Sequence, residues 1–226
     1  MILNVGPAPF DYEFEFTIPE DAHNVGLFLS GGLDSSILLC MIIEELNQTN
    51  RSTLPIHIFT CNKPPDPEGA ARMVDLIRKE YDRDLIYHEN YNVSEEAKSI
   101  GVIDMISVKE AYDEFDGDIV IYMAGNNSWD KTRWSEKVLE QYTPHDLPRP
   151  LQWDYPEEPH IVYPFGYMLK PQMLDIYYKL NKEHLIEYAY SCSKKYYPAC
   201  EVCYSCIEAE WAFKVLDKQR PDYVEI

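Results

Sequence analysis

The residues best suited to chemistry in this 226-residue chain form a short loop rich in glycine and serine. Residues 30–36 read Ser-Gly-Gly-Leu-Asp-Ser-Ser and follow an apolar run, 25–29, that is typical of a buried parallel strand. Two glycines let the backbone turn tightly and approach a ligand. Because an apolar helix follows, N–H groups converge where the helix dipole favours an anion. This predicts a phosphate site formed by Leu29, Ser30, Gly31, Gly32, Leu33, Asp34, Ser35 and Ser36.

An acidic side chain, that of Asp34, is unexpected in a loop built to bind an anion. Its carboxylate could hold a divalent cation such as Mg²⁺ beside a phosphate, or it could cap the helix that follows. The loop has no lysine after its second glycine and lacks the G-x-G-x-x-G spacing. It is therefore neither a Walker A loop nor a dinucleotide-binding loop.

Four of the six cysteines lie within 15 residues of one another: Cys192, Cys200, Cys203 and Cys206. Two Cys-x-x-Cys steps share Cys203, which brings three sulfurs together and lets Cys192 complete a tetrahedron. Four sulfurs in a tetrahedron suit structural Zn²⁺, and an iron–sulfur cluster is the alternative. A closed metal site leaves no position for substrate, so we expect it to fasten the C-terminal segment.

The elements that must position these groups alternate along the chain. Apolar runs predict buried strands at 25–29, 55–60, 84–88, 118–123 and 161–165. Strict alternation of apolar and polar residues predicts one half-buried strand at 12–18. Helical spacing and helix-start signals predict the helices: 37–46, 67–81, 94–115 (one or two), 132–141, 171–180, one from about 181, and 207–218. This alternation implies an α/β fold, a doubly wound parallel sheet covered on both faces.

The organisation predicted is one domain over 1–226, with an N-terminal strand extension at 1–23 and a C-terminal zinc-binding helical segment at 187–226. Five prolines in 143–160 predict a long loop or insertion there.

The composition favours small-molecule chemistry. The formal charge of −19 disfavours direct binding to nucleic acid, because that binding relies on Lys and Arg neutralising phosphates. No apolar run approaches the length of about 20 residues that a membrane helix needs, and no signal peptide is visible. We therefore expect a cytoplasmic protein without a membrane partner.

The loop at 30–36 resembles the Ser-Gly-Gly-x-Asp-Ser signature of the N-type ATP pyrophosphatase (PP-loop) superfamily. The resemblance implies an adenine nucleotide α-hydrolase-like fold that cleaves ATP between its α- and β-phosphates. Together with the four cysteines, the chain over about 25–213 is similar to the 7-cyano-7-deazaguanine (preQ0) synthase family. The similarity includes Ala-Gly-Asn-Asn at 124–127, Tyr-Pro-Phe at 163–165 followed by Lys170, and an Ala-Phe pair at 212–213.

This resemblance implies roles for particular residues. Gly125, Asn126 and Asn127 would bind the acceptor, although Gly-Asn-Asn is also ordinary turn chemistry. Lys170 would be catalytic, contacting phosphate or a carboxylate, or it is a solvated residue before a helix. Apart from the resemblance, residue type alone indicates that Trp129 or Trp134 could stack on a purine.

The activity implied is an ATP-dependent C–N ligase of deazapurine (queuosine-type) biosynthesis. It would use Mg²⁺ and contain Zn²⁺, and it would convert 7-carboxy-7-deazaguanine and ammonia to preQ0 through an adenylated intermediate. The alternatives are another adenylating PP-loop enzyme, either an amide-forming variant or a tRNA thiolation enzyme, and a catalytically silent nucleotide-binding zinc protein. A homodimer is left open.

Overall fold

The computed structural model describes residues 1–8, 11–60, 68–89, 111–124, 161–166, 168–189, 192 and 199–221. The predicted features at 94–110, 125–127, 129, 132–141, 134 and 143–160 lie outside these ranges. The strands are β1 (Ile2–Val5), β2 (Tyr12–Glu15), β3 (Val25–Phe28), β4 (Ile56–Phe59), β5 (Ile86–His88), β6 (Val120–Met123) and β7 (Ile161–Val162). The helices are α1 (Leu33–Gln48), α2 (Gly69–Tyr81), α3 (Lys170–Lys179), a 3₁₀ helix (Glu183–Tyr188) and α4 (Tyr204–Val215).

Five strands form a parallel sheet in the order β5-β4-β3-β6-β7. The chain moves outward from β3 to β5 on one side and then returns to β6 on the other, so the order reverses between β3 and β6. In open α/β sheets, ligands bind at such a switch point, beyond the carboxyl ends of the strands. The loop after β3, which carries the predicted phosphate site, begins at this point.

Both faces of the parallel sheet are buried, as predicted. Successive strand residues point to opposite faces. Leu27 and Ile58 face the core that includes α1, α2 and α3, whereas Phe28, Phe59 and Ile121 belong to a separate apolar cluster. Two buried faces explain why these strands are continuous apolar runs.

The N-terminal alternating segment does not join the parallel sheet. β2 pairs with β1 as a separate antiparallel ribbon, with Leu3 opposite Phe14. The side chains of Phe14, Phe16 and Ile18 are buried in the main core, and the residues between them are exposed. The alternation therefore identified the buried face, while β1 was not predicted.

Helix positions agree with prediction, but two helices begin earlier. α1 begins at Leu33 and α4 at Tyr204, three or more residues before their predicted starts. Consequently Asp34 and Cys206 both lie in the first turn of a helix. None of the described helices is long and apolar enough to span a membrane.

Candidate functional site

The loop after β3 is held in shape by its own serines. The N–H of Ser30 donates to Oγ of Ser35 at 3.1 Å, and the two hydroxyl oxygens lie 3.1 Å apart. The N–H of Gly32 donates to Oγ of Ser30 at 3.4 Å. The hydroxyl of Ser36 is fully buried and has no hydrogen-bond partner among the described residues. Ser30 and Ser35 therefore determine the loop's conformation.

Gly31 is the point at which only glycine fits. Its φ is +76°, in the left-handed region. A Cβ placed there would lie 2.4 Å from the carbonyl carbon of Gly69 and 2.6 Å from the nitrogen of Ala70. The loop thus packs directly on the backbone at the start of α2, which no side chain at position 31 would allow.

Asp34 is the second residue of α1. The N-cap is Gly32, without a side-chain capping bond, so the interpretation of Asp34 as the helix cap is wrong. Its carboxylate instead accepts hydrogen bonds from the ammonium of Lys170, at 2.5 Å to Oδ1 and 2.6 Å to Oδ2. The Asp34 side chain remains 28% exposed, so solvent reaches part of it.

The Lys170 ammonium is buried beside two carboxylates. Its side chain is 5% exposed, so the interpretation of Lys170 as a solvated residue is wrong. Nζ of Lys170 also lies 3.6 Å from Oε2 of Glu208, whose side chain is 7% exposed. Burial alone would lower the pKa of Lys170, but the charges of Asp34 and Glu208 outweigh burial, and the pKa lies above its usual range. Lys170 is therefore a permanent cation.

Helix α3 fixes the start of α1 at two points. Lys170 contacts Asp34, and the hydroxyl of Tyr177 donates to the carbonyl oxygen of Leu33 at 2.6 Å. Residues seven apart share a helix face, so one face of α3 makes both contacts. Tyr177 is fully buried, which makes it a rigid support for the first turn of the phosphate-site helix.

The predicted acceptor loop leaves the sheet beside the phosphate loop. β6 is the neighbour of β3, and Met123 pairs in register with Phe28. Gly125, Asn126 and Asn127 follow directly but lie outside the described residues. The carboxyl ends of β3 and β6 meet at one edge of the sheet, and the described chain reaches Ala124 there. The roles of the three residues that follow stay a prediction.

The four clustered cysteines form a compact group of sulfurs. The Sγ atoms of Cys192, Cys200, Cys203 and Cys206 all lie within 4.8 Å of one another. Cys203 is the N-cap of α4, and Cys206 lies in its first turn. Burial raises the pKa of the Cys206 thiol to about 12, with nearby sulfurs adding to the effect. Buried thiols at this spacing suit a cation that would stabilise their thiolate forms.

These distances fit a single tetrahedral ion. Zn–S bonds of about 2.3 Å place the ligand sulfurs roughly 3.8 Å apart, and Sγ of Cys203 lies 3.9 Å from Sγ of Cys192. In a [4Fe-4S] cluster each thiolate binds a different iron, which separates the sulfurs further. The four sulfurs are therefore a donor set that could hold Zn²⁺ or another metal.

Comparisons with known proteins agree with the sheet and its loop. Residues 20–125, which contain β3, α1, β4, α2, β5 and β6, match the asparagine synthase family model. The matched segment is somewhat less than half of the chain and includes the loop at 30–36. This part of the chain is therefore similar to the asparagine synthase family.

One solved structure is similar to this chain at low identity. The U34-tRNA thiolase NcsA from Methanococcus maripaludis, solved with its [4Fe-4S] cluster, is 16% identical with a TM-score of 0.43. The match covers 85% of this chain, which spans 65% of the length of the thiolase chain. No curated protein sequence matches the chain.

Three residues around the predicted phosphate site were not predicted. Gly69 contacts Gly31, Tyr177 supports α1, and Glu208 is the second partner of the Lys170 ammonium. Nothing in their own sequence patterns marks these three residues as part of the site. The only indication is that each lies on a helix close in sequence to a predicted site residue or element. The burial of Glu208 depends on the packing of α4 against α3, which local patterns do not report.

Proposed function

We propose that this protein is an ATP-dependent C–N ligase that makes 7-cyano-7-deazaguanine from 7-carboxy-7-deazaguanine and ammonia. The observation that carries the proposal is the joining of the two sequence motifs in one structure. The loop at 30–36 and the four-cysteine helix meet through Asp34, Lys170 and Glu208. This combination of loop and four-cysteine segment is the one on which the sequence resemblance rests.

In the proposed reaction, the acceptor carboxylate attacks the α-phosphorus of ATP and pyrophosphate leaves. Ammonia then displaces AMP to give the amide. A second ATP activates the amide oxygen with release of pyrophosphate, and loss of AMP and of both amide N–H protons leaves the nitrile. Each carboxylate oxygen departs with one AMP, so the sequence consumes two ATP and releases two pyrophosphates.

The residues act by positioning and charge. N–H groups of the loop and of the first turn of α1 would bind the pyrophosphate, because they point outward where the helix dipole is positive. Asp34 would hold Mg²⁺ through its carboxylate, and Mg²⁺ would supply charge neutralisation to the phosphates. Tyr177 keeps the first turn of α1 in place. No covalent nucleophile is required of the protein.

The four cysteines would bind one Zn²⁺ with a structural role. The site uses all four sulfurs and leaves no open position for substrate. Its contribution would be to hold the start of α4 against Cys192, which places Glu208 beside Lys170.

Mass spectrometry of the product tests the proposal. The protein is incubated with ATP, Mg²⁺, ammonia and 7-carboxy-7-deazaguanine, and AMP and pyrophosphate are followed in parallel. The expected result is the nitrile, with ATP consumption that depends on the deazaguanine acid and is indifferent to added tRNA. An amide as the final product would replace the proposal with the amide-forming alternative. Stimulation by tRNA alone would replace it with thiolation, and no AMP release with any substrate would indicate a silent nucleotide-binding protein.

A further inference from the structure

The Lys170 ammonium lies between two carboxylates of unequal exposure. It covers both oxygens of Asp34 at 2.5 and 2.6 Å and lies 3.6 Å from Glu208. Asp34 is 28% exposed, whereas Lys170 and Glu208 are 5% and 7% exposed. The group therefore has one carboxylate at the loop of residues 30–36 and one in the interior, with a formal charge of −1 in total.

This arrangement conflicts with direct binding of a cation by Asp34. A divalent cation needs a carboxylate oxygen as ligand, and each Asp34 oxygen already uses one of its two lone pairs to accept a hydrogen bond from the ammonium. Two cations at one carboxylate repel each other strongly in a partly buried site. This repulsion favours withdrawal of the ammonium from the Asp34 oxygen that a cation binds.

The withdrawn ammonium still needs a partner. A buried charge left without a counter-charge is strongly destabilising, and the 5% exposure of Lys170 gives it little access to water. The charged group that the described structure places next nearest to its Nζ is Glu208. Glu208 lies on α4, which packs against α3, two residues after Cys206.

We propose that Glu208 is a positioning residue that receives the Lys170 ammonium when Mg²⁺ and nucleotide bind at Asp34. The proposal rests on the proposed function for its ligand, Mg²⁺ with ATP. In the nucleotide-free protein Lys170 neutralises Asp34, and in the loaded protein it pairs with Glu208. Glu208 thereby sets the affinity of the loop for Mg²⁺ without touching the nucleotide.

The test measures binding and not turnover. The probe is α,β-methylene ATP, which resists cleavage at the bond proposed to break, and its binding is followed by calorimetry over a series of Mg²⁺ concentrations. In Glu208→Gln the ammonium loses its second counter-charge, so the half-saturating Mg²⁺ concentration should rise by about tenfold or more. In magnesium-free buffer, Glu208→Gln should bind α,β-methylene ATP as well as the unaltered protein does, because Lys170 then stays on Asp34. No chelator is added, so that any metal bound by the cysteines is retained.

Glu210→Gln is the matched control. It removes the same charge from the same helix, but Glu210 is 48% exposed and pairs with Lys214 on the surface at 3.9 Å. Its Mg²⁺ requirement should stay within about twofold of the unaltered protein, since an exposed pair contributes little. Glu208→Asp keeps the negative charge but on a shorter side chain, farther from the ammonium. Its half-saturating Mg²⁺ concentration should rise less than that of Glu208→Gln. This variant also serves if the glutamine variant fails to fold.

An unchanged Mg²⁺ requirement in Glu208→Gln would overturn this proposal alone. Equal weakening of binding with and without Mg²⁺ would also overturn it, because a merely structural role predicts that pattern. If the unaltered protein binds no nucleotide at any Mg²⁺ concentration, the proposed function fails and this proposal fails with it.

Discussion

Replacing Gly31 by alanine should damage the nucleotide site through the backbone alone. The added Cβ would lie 2.4 Å from the carbonyl carbon of Gly69, whereas ordinary contact begins at 3.4 Å, so loop and α2 must separate by about 1 Å. The left-handed conformation at φ +76° adds about 1–2 kcal/mol for a residue with a Cβ. Overpacking adds about 1–3 kcal/mol. The total loss of unfolding free energy should be about 2–5 kcal/mol.

Gly117→Ala provides the comparison. Gly117 has nearly the same φ, +77°, but its Cβ would meet the hydroxyl end of the Tyr112 side chain, at 2.6 Å, and not backbone. A side-chain end can move, so this variant should lose about 1–2 kcal/mol, close to the conformational cost alone.

Urea unfolding and nucleotide affinity of the two variants together test whether the backbone clash at Gly31 damages the loop. A displacement of about 1 Å in the loop should weaken binding of Mg²⁺ and α,β-methylene ATP by roughly a hundredfold in Gly31→Ala, while Gly117→Ala binds normally. A Gly31→Ala variant that is no less stable than Gly117→Ala and keeps its affinity for nucleotide would refute the predicted clash with the Gly69 backbone.

Three further outcomes are expected. Asp34→Asn should fold, because the buried ammonium keeps a second carboxylate, but should lose roughly a hundredfold or more of ATP turnover; near-normal turnover would remove Asp34 from catalysis. Cys203→Ser should lower both thermal stability and metal content from about one zinc per chain, and elemental analysis that found iron with a visible absorption band would contradict the zinc assignment. Burial lowers the pKa of His57 and of His88, and the neighbouring His88 lowers that of His57 further; Nδ1 of His57 lies 3.1 Å from Nε2 of His88. The unfolded chain therefore binds more protons, so stability should fall as pH drops through about 6.5; urea unfolding at pH 7.5 and 5.5 should show this loss, and His88→Gln should reduce it.

Local pattern predicted much of this fold. Strands buried on both faces are apolar throughout, so the runs at 25–29 and 118–123 are easily distinguished from the mixed polar and apolar sequence around them. The loop at 30–36 was recognisable because its glycines and serines stand between a strand and a helix. The spacing of the four cysteines also brings them together with little dependence on the rest of the chain. In each case the signal lies within about 20 consecutive residues.

Contacts between distant segments were not predictable in this way. The sequence suggested that Asp34 either holds a cation or caps a helix. The structure shows that it pairs with Lys170, 136 residues away. Lys170 has the same neighbours in sequence whether its ammonium is buried or solvated, because its burial depends on α1, α3 and α4 packing together. Glu208 reads as one acid among many in a chain of charge −19. The pairing of β1 with β2 is likewise a matter of tertiary structure.

The charge distribution explains why this site would depend on a cation. A Walker A loop brings a lysine to the phosphates, but here the ammonium of Lys170 is occupied by Asp34 and Glu208. The three groups together carry −1, and the whole chain carries −19, so neither the site nor the surface attracts a polyphosphate by charge. Backbone N–H groups at the start of α1 then provide geometry, and a divalent cation must provide the charge. Nucleotide binding that is strong without Mg²⁺ would be inconsistent with this distribution of charge.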